Sequence, residues 1–265
     1  MDDTFDSLDV RTEDGVTTIT VDRPDSRNSV DIPALGELAT ALSAGMSDSG
    51  TSTIVITGSG DEAFVSGADI ADFHEQDSLW FIRDFRRAFG EVEDVIEHGP
   101  KPVVAAVNGV AFGGGLELAL MCDLVYVSES AELGFPEGTL GGIPGVGGTQ
   151  RLSLLVGYLR AKELVLTGAS ITPSEAVAMG LANDVFPHAE FYDRVSDVTA
   201  GLAAGAPYAQ WFAKRVINQS RQGLERGLAL EAALGAVLFE TDDLHEGFGA
   251  FLERRRPEFS DWDGF

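Results

Sequence analysis

Apolar residues recur along this chain with two different periods. "VTTITV" (Val16–Val21) and "TSTIVITG" (Thr51–Gly58) are short β-branched runs that predict strands. Between them "IPALGELATALSAGM", beginning at Ile32, places its apolar residues at helical spacing, and Pro33 falls in a first turn that tolerates it. The spacing predicts a second helix from about Leu79 to His98, with Leu79, Ile82, Phe85, Phe89, Val92 and Ile96 on one face. "KPVVAAVNG" (Lys101–Gly109) and "DLVYVSE" (Asp123–Glu129) read as further buried strands. Alternation of strand and helix implies an α/β fold with a mainly parallel sheet. After about Gly145 the strand signal thins and helices dominate, including Tyr208–Arg221 and Ala229–Leu244. The expected organisation is an α/β core over residues 1–200 and a helical region over residues 201–265, without a flexible linker, internal repeat or heptad pattern.

The 265-residue length allows one large domain, or a main domain with a small helical appendix. With 44% hydrophobic and 9% aromatic residues the composition is that of a globular chain. "MDDTFDSLDV" has no basic or apolar leader pattern, and no apolar run approaches the ~20 residues of a membrane helix, so a soluble, cytoplasmic protein is expected. One cysteine, Cys122, leaves no internal disulfide and no Cys-x-x-Cys site. The net charge is −25, and the basic residues are three lysines (Lys101, Lys162, Lys214) against fifteen arginines. Such a field opposes binding to nucleic acid or anionic membranes. An acidic surface poor in lysine is expected to reflect adaptation to a salt-rich cytoplasm, where self-repulsion is screened.

Common catalytic motifs are missing. There is no P-loop, no Gly-x-Ser-x-Gly elbow and no His-Glu-x-x-His zinc site, so no metal is expected. "GIPGVGGTQ" (Gly142–Gln150) lacks the third glycine and the preceding long strand of a dinucleotide fingerprint. The histidines His74, His98, His188 and His245 are scattered in polar contexts and read as surface or capping residues.

One acidic residue is out of keeping with its neighbours. In "AFGGGLELALMCD" (Ala111–Asp123), Glu117 interrupts an apolar run just after Gly113–Gly115. A helix entered through glycines exposes unpaired N–H groups that suit a developing oxyanion. An apolar shell around Glu117 would raise its pKa towards useful acid/base values. The segment equally suits a packing cluster of glycines with Glu117 on an exposed face. "FVSGADI" (Phe64–Ile70) sets Gly67 and Ala68 in a tight turn after a short strand. "ELGFPEGTLGGIPGVGGTQRL" (Glu132–Leu152) sets Glu137 in an apolar, glycine-rich loop. Two carboxylates in apolar surroundings can divide acid and base duties.

These three segments, in this order and spacing, resemble the enoyl-CoA hydratase/isomerase (crotonase) family, and the resemblance extends from about Val16 to Phe259. It implies a crotonase-like ββα spiral core with a helical C-terminal oligomerisation region. It also implies an oxyanion hole from the backbone N–H groups of Ala68 and Gly114, with Gly67 and Gly113 beside them. The two catalytic glutamates would be Glu117 and Glu137, twenty positions apart, adding water to a trans-2-enoyl-CoA. Gly145 matches a backbone group near that water, and Ser66 a main-chain contact to adenine, with Asp69 and Ile70 next along the same segment. Phe251 and Arg254 match residues that help cover CoA. In "RPDSRNSV" (Arg23–Val30) Asp25 stands where the family often has a basic residue, which makes Arg27 the candidate for the CoA phosphates. Coenzyme A is part of the substrate, so no separate cofactor is implied. A homotrimer or homohexamer is expected, with the aromatic face of Ala229–Leu244 buried in it. A crotonase-type isomerase is the alternative activity, and a non-catalytic RNA-binding role is a distant third, opposed by the charge.

Overall fold

The β-branched runs become neighbours in one sheet whose central strands are covered on both faces. The computed structural model describes residues 5–73 and 75–260, and His74 lies outside them. β1 (Leu8–Glu13) and β2 (Val16–Val21) form an antiparallel hairpin, and α1 (Ile32–Ser47) follows. β3 (Thr53–Gly58) and β4 (Ala63–Val65) lead to α2 (Ser78–Trp80), a π-helical turn at Phe81–Phe85 and α3 (Arg86–His98). Next come β5 (Val103–Val107), β6 (Val110–Phe112) and α4 (Gly114–Ala119), then β7 (Leu124–Ser128), β8 (Leu133–Gly134), α5 (Gly148–Val156) and α6 (Tyr158–Thr167). β9 (Ser170–Ile171), α7 (Pro173–Met179) and β10 (Asp184–Phe186) precede the C-terminal helices α8 (Phe191–Ala203), α9 (Pro207–Gln219), α10 (Leu224–Leu238) and α11 (Asp242–Glu253).

Three times a strand of the large sheet is followed by a short strand of a second sheet and then by helix: β3–β4, β5–β6 and β7–β8. The large sheet has the order β1-β2-β3-β5-β7-β10 and is parallel from β2 onwards. The small one has the order β4-β6-β8-β9, with β8 and β9 antiparallel. This is the ββα spiral expected from the sequence. Every residue of β3 and β5 is buried, which is why their sequences are continuous apolar runs. One face of the large sheet packs in the main core with α1, α3 and α4. The other face packs Val55, Val104 and Ala106 against Phe191 and Val195 of α8.

β1 has only a weak pattern in the sequence. Its signal is Asp14-Gly15, both at positive φ (48° and 79°), the two-residue turn that joins strands with matching twist. The helix expected over Leu79–His98 is not uniform. Phe85, Phe89, Val92 and Ile96 are buried, but Leu79 and Ile82 are 53% and 63% exposed. The π turn, closed by the Arg86 N–H on the Phe81 carbonyl, places an extra residue in one turn and swings Leu79 and Ile82 off the apolar face. The helix expected over Ala229–Leu244 is in fact two. α10 ends at Leu238, and α11 begins with the Thr241 side chain accepting from the Leu244 N–H, followed by Asp242 and Asp243 in the first turn. A capping threonine and two acids favour a new N-terminus over continuation.

Two of the three lysines are internal. Lys101 Nζ donates to the carbonyls of Gly45 and Asp48 at 2.8 and 2.6 Å, and burial pushes its pKa down to about 8. Lys214 Nζ pairs with Asp123 Oδ2 at 2.7 Å and donates to the Lys101 carbonyl, docking α9 on the end of β5. α10 and α11 remain far less buried, with Leu224, Leu228, Phe239, Phe248, Phe251 and Leu252 exposed.

The tightest passage is α4 across β4. A Cβ on Gly115 would land far inside van der Waals contact distance of the Val65 carbonyl oxygen. Gly115→Ala is expected to cost about 3 kcal/mol, the upper range for overpacking, read as a lower denaturation midpoint at unchanged slope; an unchanged midpoint would mean that this crossing is looser than described.

Candidate active site

The site is built where α4 begins. Gly113 caps the helix at φ 51°, a left-handed backbone suited to glycine, and its carbonyl accepts the Glu117 N–H at 2.8 Å. One turn along, Glu117 points inward and is only 3% exposed. Of the two possibilities open in the sequence, the exposed helical face is therefore excluded. Its Oε1 accepts the N–H groups of Val146 at 2.8 Å and Gly148 at 2.7 Å, and no described residue bonds its Oε2. Close approach makes Gly148 necessary, since a Cβ there would lie 2.8 Å from Oε1. Burial raises the Glu117 pKa, while the Gly148 and Val146 amides and the charges of Arg151 and Arg86 oppose that rise.

Glu137 comes from a 3-10 turn at Pro136–Leu140, reached through β8. Its carboxyl lies against Gly113: a Cβ on Gly113 would be 3.1 Å from Glu137 Oε1. Glu137 Oε2 is buried with no hydrogen-bond partner among the described residues. Burial, aided by the charge of Glu117, pushes its pKa up to about 7, against the pull of its own backbone N–H. The two acids are thus near enough for one charge to act on the other, but they do not share one environment. Glu117 is held by two donors that favour its charged form, whereas Glu137 is left to hold a proton.

A pair of amides lies next to the glycine cap of α4. Gly114 is the first residue of α4, so its N–H has no intrahelical acceptor. Ala68 pairs with Val30 in a parallel bridge. There Val30 N–H donates to the Gly67 carbonyl and Asp69 N–H to the Val30 carbonyl, which turns the Ala68 N–H to the other side. A Cβ on Gly114 would lie 3.5 Å from the Ala68 nitrogen and 3.2 Å from Phe89 Cζ, so Gly114 sits close to both the Ala68 amide and an aromatic ring.

Gly145 precedes Val146, which donates to Glu117, and a Cβ on Gly145 would be 2.9 Å from Phe81 Cζ. Ser66 and Arg27 meet at the rim, where Ser66 N–H donates to the Arg27 carbonyl at 3.2 Å and Ser66 Oγ to the Ser26 carbonyl at 3.3 Å. Arg27 is itself at φ 53°, with its guanidinium exposed 3.8 Å from Glu62. Ile70 is exposed beside them. No described contact joins Phe251 or Arg254 to the two acids. Both lie at the end of α11, with Phe251 81% exposed and Arg254 at φ 58°. His98, His188 and His245 are exposed.

Sequence reasoning passed over the residues that hold the acids in place. Val146 and Gly148 act through backbone, so their side chains carry no signal. Arg151 did leave one, as a charge directly before the apolar residues Leu152, Leu154, Leu155 and Val156 of α5. It is nearly buried, and its Nη2 reaches Glu93 Oε1 at 2.8 Å and Glu97 Oε1 at 2.7 Å, one turn apart on α3. Burial opposes ionisation of Glu97, but its bonds to Arg151 and Arg221 bring its pKa below the ordinary range. Arg151 N–H donates to the Gly147 carbonyl, in the loop whose amides hold Glu117.

Comparison with known proteins places the chain in a family. The enoyl-CoA hydratase/isomerase family profile matches residues 11–262. The chain is 40% identical to a 2,3-dehydroadipyl-CoA hydratase of Escherichia coli, over 95% of this chain and 98% of that one. It is 37% identical to a crotonyl-CoA hydratase of Syntrophomonas wolfei, over 96% and 98%. An enoyl-CoA hydratase structure from Geobacillus kaustophilus superposes with a TM-score of 0.91 at 36% identity, covering 97% of this chain and 98% of that one. In sequence over nearly its whole length, and in fold, this chain is a member of the enoyl-CoA hydratase/isomerase family.

Proposed function

We infer that this protein is an enoyl-CoA hydratase, adding water reversibly to a trans-2-enoyl-CoA to give the 3-hydroxyacyl-CoA. One observation carries the reading: the Glu137 carboxyl lies unpaired against the glycine cap of α4, close enough to feel the charge of Glu117, whose own carboxylate is held by the Val146 and Gly148 amides, with the Ala68 and Gly114 amides next to that cap. Family membership and the hydratase names of its relatives support it. A CoA thioester substrate also suits a cytoplasmic location.

In the hydration direction the thioester oxygen accepts from the Ala68 and Gly114 N–H groups, an oxyanion hole that becomes stronger as charge develops. Glu117, ionised, takes a proton from the bound water as its oxygen forms a bond to C3. The C2–C3 π pair moves to C2 and the thioester becomes enolate-like. Glu137, protonated, delivers its proton to C2, so one water is added and each acid has exchanged roles. Return of a proton from Glu117 to Glu137 through solvent resets the site. Ser66, Gly67, Asp69, Ile70 and Arg27 edge the CoA side, and Gly145 the water side. Phe251 and Arg254 would reach CoA across a subunit boundary.

Glutamine keeps the size of glutamate but cannot carry the proton. Glu117→Gln and Glu137→Gln are each expected to fold and to hydrate crotonyl-CoA about 10²-fold more slowly. Because both act on one water, the double variant loses far less than the product of the two. A wild-type rate for Glu117→Gln would sink this assignment. If only Glu137→Gln is inactive and a 3-enoyl substrate is isomerised, the isomerase reading holds instead.

The rate is expected to fall as pH rises through about 7, where Glu137 loses the proton it donates. The residual rate of Glu137→Gln should lack that limb, and a limb that stays in place belongs to another group. The same raised pKa opposes folding as pH climbs from the ordinary 4.5 towards about 7. At pH 8 the glutamine variant should therefore melt no lower than wild type.

Salt adaptation and assembly form one further proposal. With Lys101 and Lys214 drawn inside, Lys162 is the one lysine left on the surface of a chain with 43 acidic residues in all. The exposed apolar residues of α10 and α11 call for burial in a trimer, or in a hexamer of paired trimers. Melting temperature and light scattering between 0.01 and 1 M KCl, over which the Debye length falls from ~30 to ~3 Å, should show rising stability of a trimer or hexamer. A flat or falling melting temperature rejects the salt reading, and a stable monomer rejects the assembly.

A further inference from the structure

We propose that Phe81 sets the acyl-chain length of the substrate, closing the site beyond C3 so that short 2-enoyl thioesters fit and long ones do not. This rests on the hydratase reading above and adds the substrate class. With the thioester oxygen between the Ala68 and Gly114 amides and C3 beside Glu117, the acyl chain runs on towards the loop that holds Glu117 Oε1, at Val146 and Gly148. Phe81 stands at that loop. Its ring edge packs on Gly145, so closely that a Cβ there would lie 2.9 Å from Cζ and 3.3 Å from Cε2.

The ring belongs to an aromatic wall. Phe81 and Phe85 have centroids 5.9 Å apart, Phe85 and Phe89 5.2 Å, and Phe89 ends the row against Gly114. The π turn is what brings Phe81 into line: its extra residue puts Phe81 over Phe85 and leaves Ile82 in solvent. Phe85 is wedged on its far side by Phe73 and Trp80, at 4.7 and 5.7 Å. The middle of the wall is therefore fixed, and Phe81, its outermost ring, is the one that meets the distal chain. Removing it opens space along the direction of chain growth, while Phe85 and Phe89 keep the amides and acids in place.

The test compares kcat/KM for crotonyl-CoA and trans-2-decenoyl-CoA in wild type, Phe81→Ala, Phe81→Leu and Ile82→Ala. Wild type should prefer the short substrate. Phe81→Ala should raise the decenoyl-to-crotonyl ratio by about tenfold or more, the scale of shape discrimination in an apolar pocket. Phe81→Leu should raise it less, and Ile82→Ala should leave it unchanged. An unchanged ratio in Phe81→Ala overturns the proposal, as does an equal rise in Ile82→Ala. Should Phe81→Ala fail to fold, Phe81→Leu carries the test. Calorimetric affinities for butanoyl-CoA and decanoyl-CoA read the same preference without turnover. If wild type hydrates neither substrate, the hydratase reading fails, while a Phe81-dependent preference in those affinities still decides the role of the ring.

Discussion

A carboxylate buried to 3% exposure must find donors, and meeting that demand organises much of this molecule. Glu117 finds them in two amides about thirty positions away in sequence, those of Val146 and Gly148. That loop is in turn tied to Arg151, which is clamped by Glu93 and Glu97 on α3. The same helix brings Phe89 under Gly114. One buried charge therefore fixes the relative positions of α4, α3 and the loop after Glu137, and α4 carries Glu117 and the Gly114 amide.

The asymmetry between the acids follows from what each can reach. Both are raised by burial, but Glu117 receives two N–H donors on one oxygen, while Glu137 leaves an oxygen buried and unpaired. An unpaired buried acceptor is costly in a merely structural residue. Here it is tolerated because the neighbouring elements, β8 and the cap of α4, are held by packing that does not depend on it. The charge balance of the chain shows a similar division of labour. Internal cations are used singly, with Lys101 closing backbone carbonyls, Lys214 closing Asp123 and Arg151 closing two glutamates, while the surface is left strongly acidic.

Period and composition by themselves determined the strands at Val16–Val21, Thr51–Gly58, Lys101–Gly109 and Asp123–Glu129, to within a few residues. They also determined α1 and the α/β class, because buried parallel strands and amphipathic helices impose their own spacing on the residues that form them. Glu117, Glu137 and the glycines around Gly113 stood out too, since a charge in an apolar run and a cluster of glycines both break a local rule. The residues alone left Glu117 open between a buried acid and an exposed helical face, and the pairing of the two acids came from the family resemblance. What the tertiary structure decided has no local spacing. The π turn that turns Leu79 and Ile82 outward answers to the packing of Phe81 on Gly145, and the break before Asp242 to a cap that a longer apolar pattern overrode in the sequence. The donors to Glu117 are backbone groups of a distant loop, and the burial that separates the two acids comes from elements far apart along the chain. A sequence names the side chains, but which amide faces a carboxylate is settled only when long-range packing brings them together.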